Sequence, residues 1–391
     1  MTLSPDQAKA VQALYRWFKE KKEQTITLGG YAGTGKTTLA SVLRWVLNER
    51  HPDLSVAFCA FTGKATHVLR QRLEEADLLL PQDSCSTIHA LLYVPHVAKD
   101  GSIIGWHRAK EVKTDLIVID EASMVTEDLW RDIVMLGVPI IAIGDHGQLP
   151  PVGSSFNLVQ DPKIRLEEIH RQAAGNPILQ LAQEARTSGL IAPGKYGKGI
   201  EKLSYANDDG DRIRELTEEL LVSKKDVLIL CGRNTTRQKL NVAARATQGF
   251  ESADPEGGDK VVCLKNSYAI RDQPLYNGMI GTIEQIQNEG EHWYDATISF
   301  PGEEREFNGL ISRHQFGKDT VLDKFEGLNP KQIGERFDFG YALTVHKAQG
   351  SQADTVLLFE ERFQKMSDDD WKRWLYTAVT RAKKRLYIVG E

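Results

Sequence analysis

Seven short apolar runs constrain the fold of this chain more than any other feature. They are Thr25–Leu28, Val56–Phe61, Leu116–Ile119, Ile140–Ile143, Val227–Leu230, Thr355–Phe359 and Leu386–Val389. A strand with one wet face alternates apolar and polar residues. A run that stays apolar for four to six residues reads as a strand covered on both faces, as in a parallel sheet. Helical patterns between the runs complete an α/β alternation. Four runs lie before residue 150 and three after residue 225. The chain therefore reads as α/β with two parallel-sheet cores, residues 1–175 and 176–391. The length of 391 residues fits this at about 100–200 residues per domain.

Two stretches break the alternation. Residues 92–112 hold two β-capable arms, Tyr93–Val97 and Ser102–Trp106, around Asp100–Gly101, a strong turn signal. They predict a hairpin inserted in the first core. Residues 258–335 lose the helical period and are rich in Gly, Asn and β-formers. They predict a small antiparallel barrel inserted in the second core. Apolar residues make up 41% and charged residues 26%, which excludes disorder, collagen and a disulfide scaffold for the chain as a whole. No run approaches the roughly 20 apolar residues that span a bilayer, and MTLSPDQAKA lacks the layout of a signal peptide. The four cysteines are scattered, as expected in a reducing cytoplasm and not in a structural zinc site. The net charge of −5 gives no hint of a nucleic-acid partner, so any such partner has to be argued from local clusters.

Gly30-Tyr31-Ala32-Gly33-Thr34-Gly35-Lys36-Thr37 matches G-x-x-x-x-G-K-[ST], with a strand before it and a helical pattern after it. Glycines let successive backbone amides turn inward as an anion-binding nest. The following helix adds unpaired N–H groups and its positive dipole end. Lys36 is then the mobile charge on a β/γ-phosphate, and the Thr37 hydroxyl a ligand for Mg²⁺. Leu116–Ile119 ends in Asp120-Glu121, two carboxylates at the edge where open α/β sheets bind ligands. Asp120 suits the metal and Glu121 the base that orients and deprotonates an attacking water. The plainer alternative is an acidic pair that ends a strand. Near the N-terminus, Ser4-Pro5-Asp6-Gln7 reads as a capping box opening an amphipathic helix. Arg171 and Arg381 suit arginine fingers, but spacing alone does not separate them from surface arginines.

The order of these segments resembles the superfamily 1 helicases, specifically their RecD-like branch. LSPDQ at 3–7 is similar to the adenine-reading Q motif, GYAGTGKTT at 30–38 to motif I, AFTGKATHVLR at 60–70 to motif Ia and STIHALL at 86–92 to motif Ib. IDEASMV at 119–125 resembles motif II, IAIGDHGQLPPVG at 141–153 motif III and IHRQ at 169–172 motif IV. ALTVHKAQGSQ at 342–352 resembles motif V and LYTAVTRAKKRLYIVG at 375–390 motif VI.

The resemblance implies two RecA-like cores that bind ATP and Mg²⁺ in the cleft between them. Gln7 then reads the adenine edge. Gly33, Thr34, Gly35, Lys36, Thr37, Thr38, Gln349 and Gly350 contact the nucleotide. Gln148 senses the γ-phosphate, and Arg171 and Arg381 become the two fingers. Gln352 departs from the Glu found in many relatives, which leaves the nucleotide-sugar contact open. Tyr31 occupies a variable position and receives no role. Thr62, Lys64, His67, Thr87, His89, Thr344, His346 and Lys347 would grip a single-strand backbone, the alternative being ordinary surface polars. Tyr93 and Trp106 would stack on bases at a strand-separating pin, or else anchor the hairpin. The implied function is an ATP-dependent DNA helicase moving 5′ to 3′ on single-stranded DNA. It would open forked and tailed duplexes, as a monomer, with no membrane partner. The alternatives are a nucleic-acid clamp that does not unwind and an RNA helicase of the same superfamily.

Overall fold

The computed structural model describes residues 3–97, 103–109, 111–151, 156–168, 175–207, 209–223, 226–265, 267, 275, 277–301, 306–325, 327–328 and 332–390. The side chains of residues 64, 95–97 and 103–106 lie outside that description. The chain forms two compact units. The first is Met1–Gly189 with Asp368–Thr380; the second is Leu190–Ser367 with Arg381–Glu391.

The strands of the first unit are β1 (Thr25–Gly30), β2 (Val56–Ala60), β3 (Ser84–Thr87), β4 (Tyr93–Val97), β5 (Ile103–Arg108), β6 (Leu116–Asp120), β7 (Ile140–Gly144) and β8 (Ile164–Leu166). All but β4 and β5 form one sheet in the order β3-β2-β6-β7-β1-β8, parallel throughout. Every residue of β2, β6 and β7 is buried, because the pleat divides each apolar run between two cores. Val56, Phe58, Leu116, Val118, Ile141 and Ile143 enter one core. There they meet Leu14 of α1 (Pro5–Glu20), Leu39, Leu43 and Leu47 of α2 (Lys36–Arg50), and Leu69 and Leu73 of α3 (Gly63–Glu75). Ala57, Cys59, Ile117, Ile119, Ile140 and Ala142 enter the other, with Ile88 and Leu92 of α4 (Ile88–Leu92) and Leu129 and Ile133 of α5 (Glu127–Val134). A buried ion pair fixes the approach to β3. Arg44 Nε and Nη2 reach Asp83 at 2.7 and 3.1 Å, and both side chains are fully buried.

β4 and β5 pair antiparallel, with Tyr93 opposite Arg108. The second arm spans Ile103–Arg108, two residues beyond the predicted Trp106, because its last pair closes on the body. Ala109 N donates to Leu92 O at 2.7 Å there. The Asp100–Gly101 turn lies outside the described residues. Helix α6 (Pro177–Thr187) completes the linear part of this unit.

The second unit holds β9 (Gly194–Gly197), β10 (Ile200–Ser204), α7 (Gly210–Leu221), β11 (Val227–Cys231), α8 (Asn234–Thr247), β12 (Lys260–Cys263), β13 (Ile280–Glu289), β14 (Trp293–Ser299), β15 (Glu306–Ser312), β16 (Phe337–Phe339), β17 (Ala342–Thr344), β18 (Ala353–Phe359) and β19 (Ala382–Gly390). Its main sheet runs β17-β11-β18-β19-β10-β9, parallel except at β9. Five antiparallel strands form a separate sheet, β15-β14-β13-β12-β16. Glu335, just before β16, bonds back to β15 through Ser312 N and Leu310 O, so the two edges meet around Ile283, Ile298, Phe307 and Phe337. The last helix, α9 (Asp368–Val379), returns to the first unit, and the residues after it rejoin the second. A linear division at residue 175 does not contain this return. Among the described residues, no helix is long and apolar enough to cross a membrane.

Candidate nucleotide-binding site

The P-loop leaves β1 at the carboxyl edge of its sheet and enters α2. Gly33 and Gly35 take φ of 83° and 76°, the left-handed region that glycine occupies without strain. A Cβ on Gly30 would stand 2.5 Å from Thr34 Oγ1, so the loop also needs glycine there to close. Lys36 Nζ donates to Gly30 O at 2.7 Å and Tyr31 O at 3.0 Å and stands 3.6 Å from Asp145 Oδ2.

Thr37 Oγ1 donates to Asp120 Oδ2 at 3.2 Å. Burial raises the Asp120 carboxyl above its usual range; the Glu121 amide, Lys36 and the Thr37 hydroxyl oppose this. Among the described residues no group of three or more His, Cys, Asp or Glu side chains is placed to hold a metal. Mg²⁺ in phosphate chemistry needs fewer, because waters and substrate oxygens complete its shell. One hydroxyl beside one carboxylate fits that donor set. Glu121 adopts φ 53°, ψ 40°, a left-handed conformation that is uncommon outside glycine and found often at functional positions. Its amide donates to Asp120 Oδ1 at 2.9 Å.

Gln148, at 4% exposure, donates through Nε2 to Asp145 Oδ2 at 3.4 Å. Among the described residues its buried Oε1 has no hydrogen-bond partner, a costly state for an amide oxygen. Gln7 closes the helix cap and also reaches the P-loop. Ser4 N donates to Gln7 Oε1 and Gln7 N to Ser4 Oγ, closing the capping box. Gln7 Nε2 also donates to Thr34 O of the P-loop at 3.0 Å. The helix cap thereby braces the phosphate loop.

Sequence reasoning passed over three participants. Tyr376 of α9 accepts from Ala32 N at 2.8 Å and donates to Asp145 Oδ2 at 2.7 Å, joining the P-loop to the strand-end aspartate. Asp145 is fully buried and gathers Tyr376, the Gly147 amide, Gln148 and Lys36. Tyr31 lies between the His146 ring, centroids 4.1 Å apart, and the Arg186 guanidinium, 3.9 Å from its centroid. Asp145 and Tyr376 fall inside the quoted motifs, but their role becomes visible only through partners distant in sequence.

Among the nucleic-acid candidates, Thr62 and Thr87 cap α3 and α4 by accepting from Ala65 N and Ala90 N. His67 is exposed and Thr344 is buried. His89 and His346 are held below the usual histidine range by burial. Burial likewise lowers the Lys347 ammonium, which Arg237 reinforces and Asp338 and Asp319 oppose. Tyr93 is half-buried and donates to Asp132 Oδ2 at 2.5 Å, so its hydroxyl anchors the hairpin. Arg381, 2% exposed, donates to Ser351 O at 3.2 Å within the second unit. Gln349 is buried, and Gly350 follows it with φ 74° in the turn after β17. Arg171 and the side chains of Lys64 and Trp106 lie outside the described residues.

A family described as an AAA domain matches residues 2–218, and a UvrD-like helicase C-terminal domain matches residues 339–389. The ATP-dependent RecD2 DNA helicase of Deinococcus radiodurans is 29% identical over 93% of this chain and 47% of its own length. The RecBCD enzyme subunit RecD of Mycolicibacterium smegmatis is 27% identical over 94% of this chain and 68% of its own length. The chain thus spans about half of the first relative and about two thirds of the second. The fold is shared with a Pif1 helicase from Bacteroides, crystallised with ADP-AlF3 and ssDNA, at a TM-score of 0.56 and 17% identity, covering 100% of this chain and 93% of that one. It is shared also with Pif1 helicase from Candida albicans, at a TM-score of 0.52 and 16% identity, covering 100% and 95%. The chain belongs to the AAA-domain family, and nearly its whole length is similar to RecD-type helicases.

Proposed function

We propose that the chain is the motor of an ATP-dependent DNA helicase that moves 5′ to 3′ on single-stranded DNA and opens forked and tailed duplexes. The observation that carries this reading is the convergence of Lys36, the Thr37–Asp120 pair, Glu121 and Gln148 at one sheet edge. On this reading the β/γ-phosphates take over the Lys36 ammonium from its two carbonyl acceptors. Thr37 and Asp120 hold Mg²⁺, which when bound neutralises charge on those phosphates. Glu121 orients the attacking water and accepts its proton. Gln148 Oε1 gains a bond to that water or to the phosphate it leaves. Arg171 and Arg381 are proposed to neutralise charge that develops on the transferred phosphoryl group. The polarity follows from the branch and not from any residue pattern.

A non-unwinding clamp would keep every ATPase residue. The β4–β5 hairpin favours unwinding, because a clamp has no need of a wedge. Strand displacement on forked, 5′-tailed and 3′-tailed duplexes tests the proposal. Wild-type protein should open the first two and leave the third. Glu121→Gln should still bind ATP but hydrolyse it about 10²–10⁴-fold more slowly. Displacement of the 3′-tailed duplex alone would overturn the polarity. Stronger ATPase stimulation by RNA than by DNA would overturn the substrate. Near-wild-type turnover in Glu121→Gln would overturn the base.

A further inference from the structure

Asp132 lies outside every motif that the nucleotide site uses. It sits on α5, the helix that begins six residues after Glu121. Thr126 caps this helix, and Leu129 and Ile133 bury its apolar side in the first unit. Asp132 receives one donor from each strand of the hairpin. Tyr93 Oη of β4 donates to Oδ2 at 2.5 Å, and Arg108 Nη1 of β5 pairs with Oδ1 at 3.4 Å. Tyr93 and Arg108 are register partners, the first pair of the hairpin. One carboxylate therefore closes the mouth of the hairpin and ties both strands to the core.

Three further contacts support this closure. Arg108 Nη1 lies 2.8 Å from Met135 Sδ at the end of α5. The Tyr93 ring lies beside His89, and His89 against Phe61, at centroid distances of 6.0 and 5.9 Å. Burial, reinforced by the Asp132 carboxylate, pushes the Tyr93 phenol up to about 12, so it remains a donor at any physiological pH. A two-stranded hairpin is marginal by itself in water and keeps its direction only if its base is fixed. An exposed Arg–Asp pair would add little, but a half-buried phenol donating to a carboxylate is a strong, directional bond.

We propose that Asp132 is a positioning residue for strand separation, holding the β4–β5 hairpin at a fixed angle to the first unit so that translocation drives it into the duplex. This rests on the helicase reading above. Asp132 makes no contact with the nucleotide-site residues and meets the proposed DNA contacts only through the Tyr93 hydroxyl, so its effect is on coupling and not on turnover.

The test uses the full chain with Asp132→Ala, Asp132→Asn and Arg108→Gln, beside a variant in which residues 97–104 are replaced by a short Gly-containing turn. Three quantities are read: single-strand-stimulated ATPase, displacement of streptavidin from a biotinylated single strand, and opening of a forked duplex. Asp132→Ala should keep the first two and slow the third by about tenfold, the scale of one lost hydrogen bond to a charged group. Asp132→Asn keeps an acceptor for Tyr93 and should recover part of the loss. Arg108→Gln should fall between. If the shortened hairpin abolishes unwinding while all three point variants unwind normally, the proposal is overturned and the helicase reading stands. If the shortened hairpin unwinds a fork at the normal rate, the hairpin is no wedge, and both fall. If ATPase, streptavidin displacement and thermal midpoint drop in step with unwinding, Asp132 is a structural residue and the proposal is overturned.

Discussion

Lys36 is held ready by the loop it will serve. Its ammonium spans two P-loop carbonyls and lies near the buried Asp145, so a polyphosphate replaces acceptors of the same kind and needs no rearrangement of the backbone. Lys36→Ala should therefore leave the fold intact and remove turnover, since a positioned cation on the transferred phosphate is lost. Steady-state ATPase beside a thermal melt checks this. Turnover within tenfold of wild type would show that another cation does the work. The residues legible from sequence at this scale are those whose chemistry is local: the Lys36-Thr37 pair, Asp120-Glu121, and Ser4 with Gln7. Asp145, Tyr376 and Asp132 were not legible, because each is defined by partners far along the chain. Tyr376 meets Ala32 only after more than 300 residues of intervening chain.

At the scale of elements, the sequence exposed strands whose two faces are both apolar and concealed those that are short, polar or at an edge. β2, β6, β7 and β11 lie where their apolar runs predicted them. β3, reading SCST, and β9, reading GKYG, carry no such run, and β10 buries Lys202 against Glu360. Pairing with a neighbour, and not hydrophobicity, makes these segments strands. β3 illustrates the cost of such an arrangement. Its approach depends on Asp83, which binds Arg44 of α2 and also accepts from Val56 N and Leu80 N. Arg44→Met should destabilise the first unit by about 3–5 kcal/mol, because a fully buried carboxylate loses its partner. Arg44→Met with Asp83→Leu should recover part of that loss. Urea denaturation followed by tryptophan fluorescence measures both. A single variant within about 0.5 kcal/mol of wild type would mean that water replaces the guanidinium.

At the scale of the whole molecule, a net charge of −5 opposes a polyanion, so affinity for a single strand must come from local cations. The sequence placed candidates on both cores but did not show that they differ in kind. His67 is exposed, whereas Lys347 is half-buried, with Asp319 and Asp338 favouring its charge and burial with Arg237 opposing it. A lysine held this way is a fixed donor with little freedom to follow a moving phosphate. Binding should weaken as salt rises, with a log–log slope of about −0.7 for each phosphate neutralised on a single strand. Lys347→Ala should make the slope shallower by about that amount. Fluorescence anisotropy with a labelled oligonucleotide across a salt series measures the slope in the wild type and in Lys347→Ala. A slope near zero in the wild type would assign the binding to stacking. An unchanged slope in Lys347→Ala would remove that residue from the track while leaving the electrostatic account of the remaining cations in place.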